Sequence, residues 1–357
     1  EVSGSSPDVG STHILEAVNA VQPHVVLPLL TAALAAITAF AVLDQWFRKR
    51  RAYQLVWALG LAWYMVAAGA EALGGARGWS EPAYRAWYLF GAFGVASWLG
   101  LGTVFLLRKT RFGYLVAAAL LLSGTITLAG ESRIPLIVAA LGAAALAIAT
   151  WRQRDRVAPV AALLLVGGSL AAAVLVLSAP LAPPGYALNP ETQVPVGSAF
   201  PEQVRILSPL FNIPGAVALV GGALYSAYIF MPKTRVLRVS STTPVVGAVG
   251  RGLAVVVNFI ASIPAAIRAG RRGELHSRVP ATLLIALGGI FPSFTSGLTR
   301  FEITWGHYLG ELIGVALILA GFLISLEVFS DLRVPFTRIV LIRRPSADVV
   351  DTPAPPA

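Results

Sequence analysis

Nine apolar stretches, most of about 20 residues, recur along this chain, and they decide what it can fold into. A backbone inside hydrocarbon finds no water for its N–H and C=O groups, so such a run crosses the bilayer as a helix. The runs cover residues 25–44, 53–73, 84–107, 112–130, 134–150, 157–178, 208–231, 281–299 and 306–329. The fifth is short, and Pro135 falls where a first helical turn tolerates it. The eighth is the least regular, interrupted by Gly288, Gly289 and Pro292. Composition agrees: 12% of the residues are charged, against about 25% in a soluble domain. The expected fold class is all-α, a polytopic transmembrane helix bundle of about nine spans.

Basic residues set the expected orientation. Arg48, Lys49, Arg50 and Arg51 close the first span, Arg108, Lys109 and Arg111 the third, and Arg152, Arg154 and Arg156 the fifth. A fourth group, from Lys233 to Arg278, follows the seventh span, and Arg333, Arg338, Arg343 and Arg344 follow the ninth. Assigned to alternate faces, all of the 27 basic residues but Arg77, Arg85, Arg133, Arg205 and Arg300 share one side. The positive-inside rule makes that side cytoplasmic, with the N-terminus outside and the C-terminus inside. The setting implied is a membrane bordering the cytoplasm, with anionic lipids at the cytoplasmic face as partners. The net charge of +10 is therefore read as topology, with no nucleic-acid role.

Residues 245–268 test the count. Their core, Leu253 to Ile260, is apolar, but a tenth crossing would carry Arg268, Arg271 and Arg272 outside. A helix lying in the cytoplasmic interface is expected instead, with a re-entrant hairpin as the alternative. The organisation that follows is an external segment 1–24 with a short amphipathic helix over 12–21, and a seven-span bundle 25–231 with an external Pro-rich loop 179–207. A basic cytoplasmic segment 232–280, two further spans within 281–330 and a cytoplasmic tail 331–357 complete it. Glu1 in place of Met is read as the mark of a processed or trimmed chain.

Ionisable groups inside lipid are costly, so they head the list of functional candidates. Asp44 and Glu327 sit beside basic clusters and are expected to be solvated ion pairs. At the other end, Glu71 closes the second span, Arg85 opens the third, His24 heads the first, and His307 and Glu311 lie one turn apart on the ninth. These five could converge on one polar ligand site suited to an anion, a divalent metal or a proton-linked ligand. The plainer alternatives are a Glu71–Arg85 ion pair and a local His307–Glu311 pair. Gly306, Gly310 and Gly314 make a small-residue stripe for close helix packing, internal by default and otherwise against a partner. Ser293, Thr295, Ser296 and Thr299 around Pro292 suggest either a broken transporter helix or a kinked helix whose hydroxyls bond their own backbone. Trp79, Trp87, Tyr88, Trp98 and Trp305 are expected as interfacial anchors.

The chain has no Cys, which removes disulfides, thiolate nucleophiles and Cys-ligated metal centres. Its three Lys lie in basic clusters, so none is placed for a retinal Schiff base, and no P-loop, nucleophile elbow or zinc-protease motif occurs. No cofactor is named by any motif, and no residue is assigned to a metal. The stretches 70–75 (AEALGG), 84–88 (YRAWY) and 207–215 (LSPLFNIPG) resemble uncharacterised multi-pass membrane proteins of bacteria, a likeness that implies no activity. In topology alone, the first seven spans are similar to the seven-helix sensory regions that precede bacterial signalling kinases. The expected function is non-enzymatic: an accessory or scaffold subunit, or a ligand-sensing module, working with a protein partner or as a homo-oligomer. A small transporter or channel is the alternative, and a membrane metal or haem protein, with His24 and His307 as axial ligands, the third.

Overall fold

The computed structural model describes residues 22–182, 199–239, 244–298, 306–325, 329 and 331–343. The expected helix over 12–21, most of the 179–207 loop, Thr299, Trp305, Glu327 and the tail from 345 lie outside the described residues. Among the described residues, ten helices run in order: α1 (Pro23–Lys49), α2 (Ala52–Arg77), α3 (Glu81–Leu106), α4 (Gly113–Ile126), α5 (Ile134–Arg152), α6 (Val157–Ser178), α7 (Glu202–Phe230), α8 (Pro244–Arg271), α9 (Arg278–Leu298) and α10 (Gly306–Ile324). Two short antiparallel strands, β1 (Asp331–Arg333) and β2 (Val340–Arg343), follow. The chain is an all-α polytopic bundle.

Eight helices among the described residues are long and apolar enough to cross a membrane. Seven of them are expected spans; the eighth is Gly252–Arg271, within α8, which the arginine pattern assigned to the interface. The remaining two expected spans form shorter apolar helices, Gly113–Ala129 and Arg278–Pro292. Helix ends follow local chemistry. Arg50 adopts a left-handed conformation that stops α1, and Ser80 caps α3 by accepting from the Ala83 N–H.

Six helices (α1, α2, α3, α7, α9 and α10) share one core, built on Val42, Trp57, Leu61, Tyr64, Leu99, Leu219, Ile285, Val315 and Phe322. Helices α4 to α6 form a flank. The most apolar stretch of α2 is 61% buried and that of α6 only 11%, so α2 is interior while α6 presents Leu163, Leu170 and Val174 outward. In a soluble protein such an outward face would aggregate; in lipid it is the contact surface.

Two π-helical turns interrupt the core helices, at Trp87–Gly94 in α3 and Val217–Gly221 in α7. A π turn displaces carbonyls from their usual donors, and here Ala92 O accepts from Asn212 Nδ2 (2.8 Å) and Ser208 Oγ (3.3 Å) of α7. Close by, Gly100 and Gly215 let the two backbones touch: a Cβ on Gly215 would stand 2.6 Å from Ser97 N.

Helices α9 and α10 also meet through glycines. A Cβ on Gly310 would stand 1.7 Å from Thr295 Oγ1, and one on Gly314 would stand 2.9 Å from Gly288 O. Gly306 is buried as well. The glycines at 310 and 314 thus pack within the chain. Helix α9 runs continuously through Pro292, with the Thr295 hydroxyl donating to Phe291 O (2.9 Å). The helix is unbroken there, and the Thr295 hydroxyl bonds its own backbone as the plainer alternative expects.

Two expectations are corrected. Asp44 is not solvated: it is buried, pairs with Arg48 (2.9 Å) and accepts from the Phe336 N–H (3.0 Å), which fastens the β1–β2 turn to the end of α1. Trp79 and Tyr88 are not interfacial anchors; they are buried with Tyr84, Phe93 and Phe200 in an aromatic cluster between α3, α6 and α7. In α8, Asn258 and Ser262 turn inward. The Asn258 amide accepts from Val236 N (2.8 Å) and Leu237 N (2.9 Å) and donates to Leu237 O (2.9 Å), and Ser262 accepts from Thr234 N (2.8 Å). These bonds give the extended residues 234–237 the partners that a strand would otherwise need. The opposite face of α8, with Leu253, Val256, Ile260 and Ile267, is exposed.

Candidate functional site

Helices α2 and α10 face each other along a seam whose residues recur every two turns of α2. Trp57 packs on Phe322 (ring centroids 4.9 Å apart), Tyr64 OH donates to Glu311 O (3.0 Å), and Glu71 meets His307. The spacing 57, 64, 71 keeps all three α2 side chains on one face. At the arginine-bearing end the seam is apolar, and at the far end it is ionisable.

There, Glu71, His307 and Glu311 come together. His307 Nε2 lies 3.7 Å from Glu71 Oε1 and 3.7 Å from Glu311 Oε1, and one donor atom from each residue lies within 4.8 Å of the others. Glu71 is only 3% exposed. Trp87, the first residue of the π turn in α3, donates from Nε1 to Glu71 Oε1 (2.8 Å), fixing that carboxylate. The second oxygens, Glu71 Oε2 and Glu311 Oε2, are buried without a hydrogen-bond donor. A buried, unsatisfied carboxylate oxygen costs roughly 1–3 kcal/mol or more, so the arrangement is not what stability alone selects.

Charge counting sharpens the point. Two carboxylates beside one imidazolium carry a net negative charge, and beside a neutral imidazole a larger one. In a low-dielectric interior that excess is costly until a proton or a cation balances it.

The other two candidates lie elsewhere. Arg85 does not pair with Glu71. Its guanidinium binds Glu81 (2.7 Å) and donates to Val176 O and Ala179 O (2.9 Å to the latter), filling the orphan carbonyls at the end of α6. Glu81 is one turn away on its own helix, and the α6 terminus faces it. His24 lies against Gly75, one turn beyond Glu71 on α2, and stands outside the three-residue group. Of the five, the fold brings three together. Tyr64 and Trp87 were not singled out for this site; the two-turn spacing of Tyr64 from Glu71 was the available signal, whereas the Trp87 contact depends on the tertiary path of α3.

Comparison of the chain with protein-family models, with curated proteins and with solved structures finds no match.

Proposed function

We propose that this multi-pass membrane protein acts without catalysis, as a ligand-sensing or accessory module whose ligand is held by Glu71, His307 and Glu311. The observation that carries the reading is the meeting of three ionisable side chains from α2 and α10 in the bundle interior, with two carboxylate oxygens left without donors. The cost of keeping such a group in an apolar bundle favours a functional role. A haem between His24 and His307 has less support, because His307 Nε2 faces two carboxylates. The unbroken α9 supplies none of the helix discontinuity that motivated a transporter.

In this proposal the arginine-bearing turns face the cytoplasm of a bacterial inner membrane, α8 lies along that interface beside anionic lipid, and the site opens near the outer leaflet. Since the glycine stripe is used internally, any protein partner or second copy would bind another face.

The test is a thermal-unfolding screen of the purified full chain against protons, alkali and divalent cations, small anions and organic cations. At least one should raise the melting temperature of the wild type and fail to do so in Glu71→Gln. A screen without any stabilising agent, or a shift unchanged in that variant, would contradict the reading.

A further inference from the structure

Resting on that reading of the site, we infer that the ligand is a divalent transition-metal ion bound by Glu71, Glu311 and His307 Nε2. Three independent features lead there.

The donor set is one imidazole nitrogen and two carboxylates, which suits zinc and its first-row neighbours. Calcium takes six to eight oxygens, and magnesium holds to octahedral oxygen shells. Distances come second. Ligands of a tetrahedral ion at about 2.0–2.1 Å stand about 3.3–3.4 Å from one another. Two of the three edges here are 3.7 Å, and the donor atoms all lie within 4.8 Å. Charge is the third. Two carboxylates, a neutral imidazole and a dication sum to zero, whereas one proton or one monovalent ion alone leaves a negative charge while both carboxylates are ionised.

Support comes from the surroundings. The Trp87 N–H on Glu71 Oε1 (2.8 Å) is the kind of outer hydrogen bond that orients a ligating carboxylate. Tyr64, donating to Glu311 O, ties the α10 backbone that carries both other ligands to α2. Beside Glu71 Oε1, which the distances place toward His307, the buried Oε2 is nine-tenths enclosed and without a donor, so the carboxylate has a second oxygen to offer an ion. Three protein ligands leave a fourth position for water or for a group brought by a partner.

The experiment uses the full chain in detergent, stripped with a chelator and titrated with cobalt(II) alone, then zinc(II) alone. Saturable binding of one cobalt per chain, with visible absorption that zinc abolishes and magnesium at equal concentration does not, is the expected result. Glu71→Gln and His307→Gln should each weaken binding at least tenfold. Trp87→Phe, which keeps an aromatic side chain but removes the indole N–H along with part of the ring, should weaken it about tenfold. Helical circular dichroism checks that each variant folds. Absence of saturable binding to the folded wild type, or undiminished affinity in folded Glu71→Gln, would overturn the inference. Stabilisation by protons or another screened ligand, lost in Glu71→Gln while no metal binds, would overturn the metal and leave the broader site reading standing. No response to any ligand would overturn both.

Discussion

The same substitution, glycine to alanine, is expected to have opposite signs at two helical positions. At Gly310 the new Cβ would stand 1.7 Å from Thr295 Oγ1 and 2.5 Å from Thr295 Cβ. Ordinary contact begins near 3.4 Å, so the groups must separate by about 1.7 Å, the distance between those values. The Thr295 hydroxyl has little freedom to move, because it donates to Phe291 O and its Cβ is branched. The α9–α10 pair must therefore spread, at a cost of about 1–3 kcal/mol for overpacking, against about 1 kcal/mol gained in helix propensity. At Gly167 in α6, nothing lies within 4 Å of the new Cβ, and only the propensity gain remains. Gly310→Ala should thus be less stable than Gly167→Ala by about 3 kcal/mol at the upper end of that range. Thermal unfolding of the two variants in one detergent reads the difference directly. Equal melting temperatures, or a stabilised Gly310→Ala, would refute the close contact between α9 and α10.

Two further outcomes test the segments that follow the core helices. Asn258→Ala should expose three backbone groups of residues 236 and 237, a local loss of about 2–4 kcal/mol; amide exchange at Val236 and Leu237 should accelerate, and unchanged exchange would count against the α8 clamp. Asp44→Ala removes the acceptor for the Phe336 N–H and the partner of Arg48, so trypsin should cut faster at Arg338 while the helical signal stays constant; unaltered cleavage would show that the β1–β2 turn is held by other contacts.

Much of the fold was legible because lipid imposes one rule on every span. An uninterrupted apolar run must be a helix, and most of the expected spans become helices with boundaries within a few residues of those read from hydropathy. Short α4 shows the limit, since apolarity marks a buried or lipid-facing segment without stating whether the helix reaches across. For the site, a charged residue in an apolar run is conspicuous, which is why Glu71, His307 and Glu311 stood out. Their partners were not. Arg85 is claimed by the carbonyl terminus of α6, and Asp44 by a backbone N–H almost three hundred residues onward; such long-range pairings leave no periodic trace. Asn258 and Ser262 lie in an apolar stretch with no spacing that marks them, and the docked segment 234–237 supplies their role.

The most direct check on the convergence of α2 and α10 is a double-mutant cycle on Glu71→Gln and His307→Gln, read as unfolding free energy in detergent. Side chains that share one buried site should couple, with the double variant departing from the sum of the singles by about 1 kcal/mol or more. Additivity within about 0.5 kcal/mol would mean that the two residues do not meet, and the site would be lost with them.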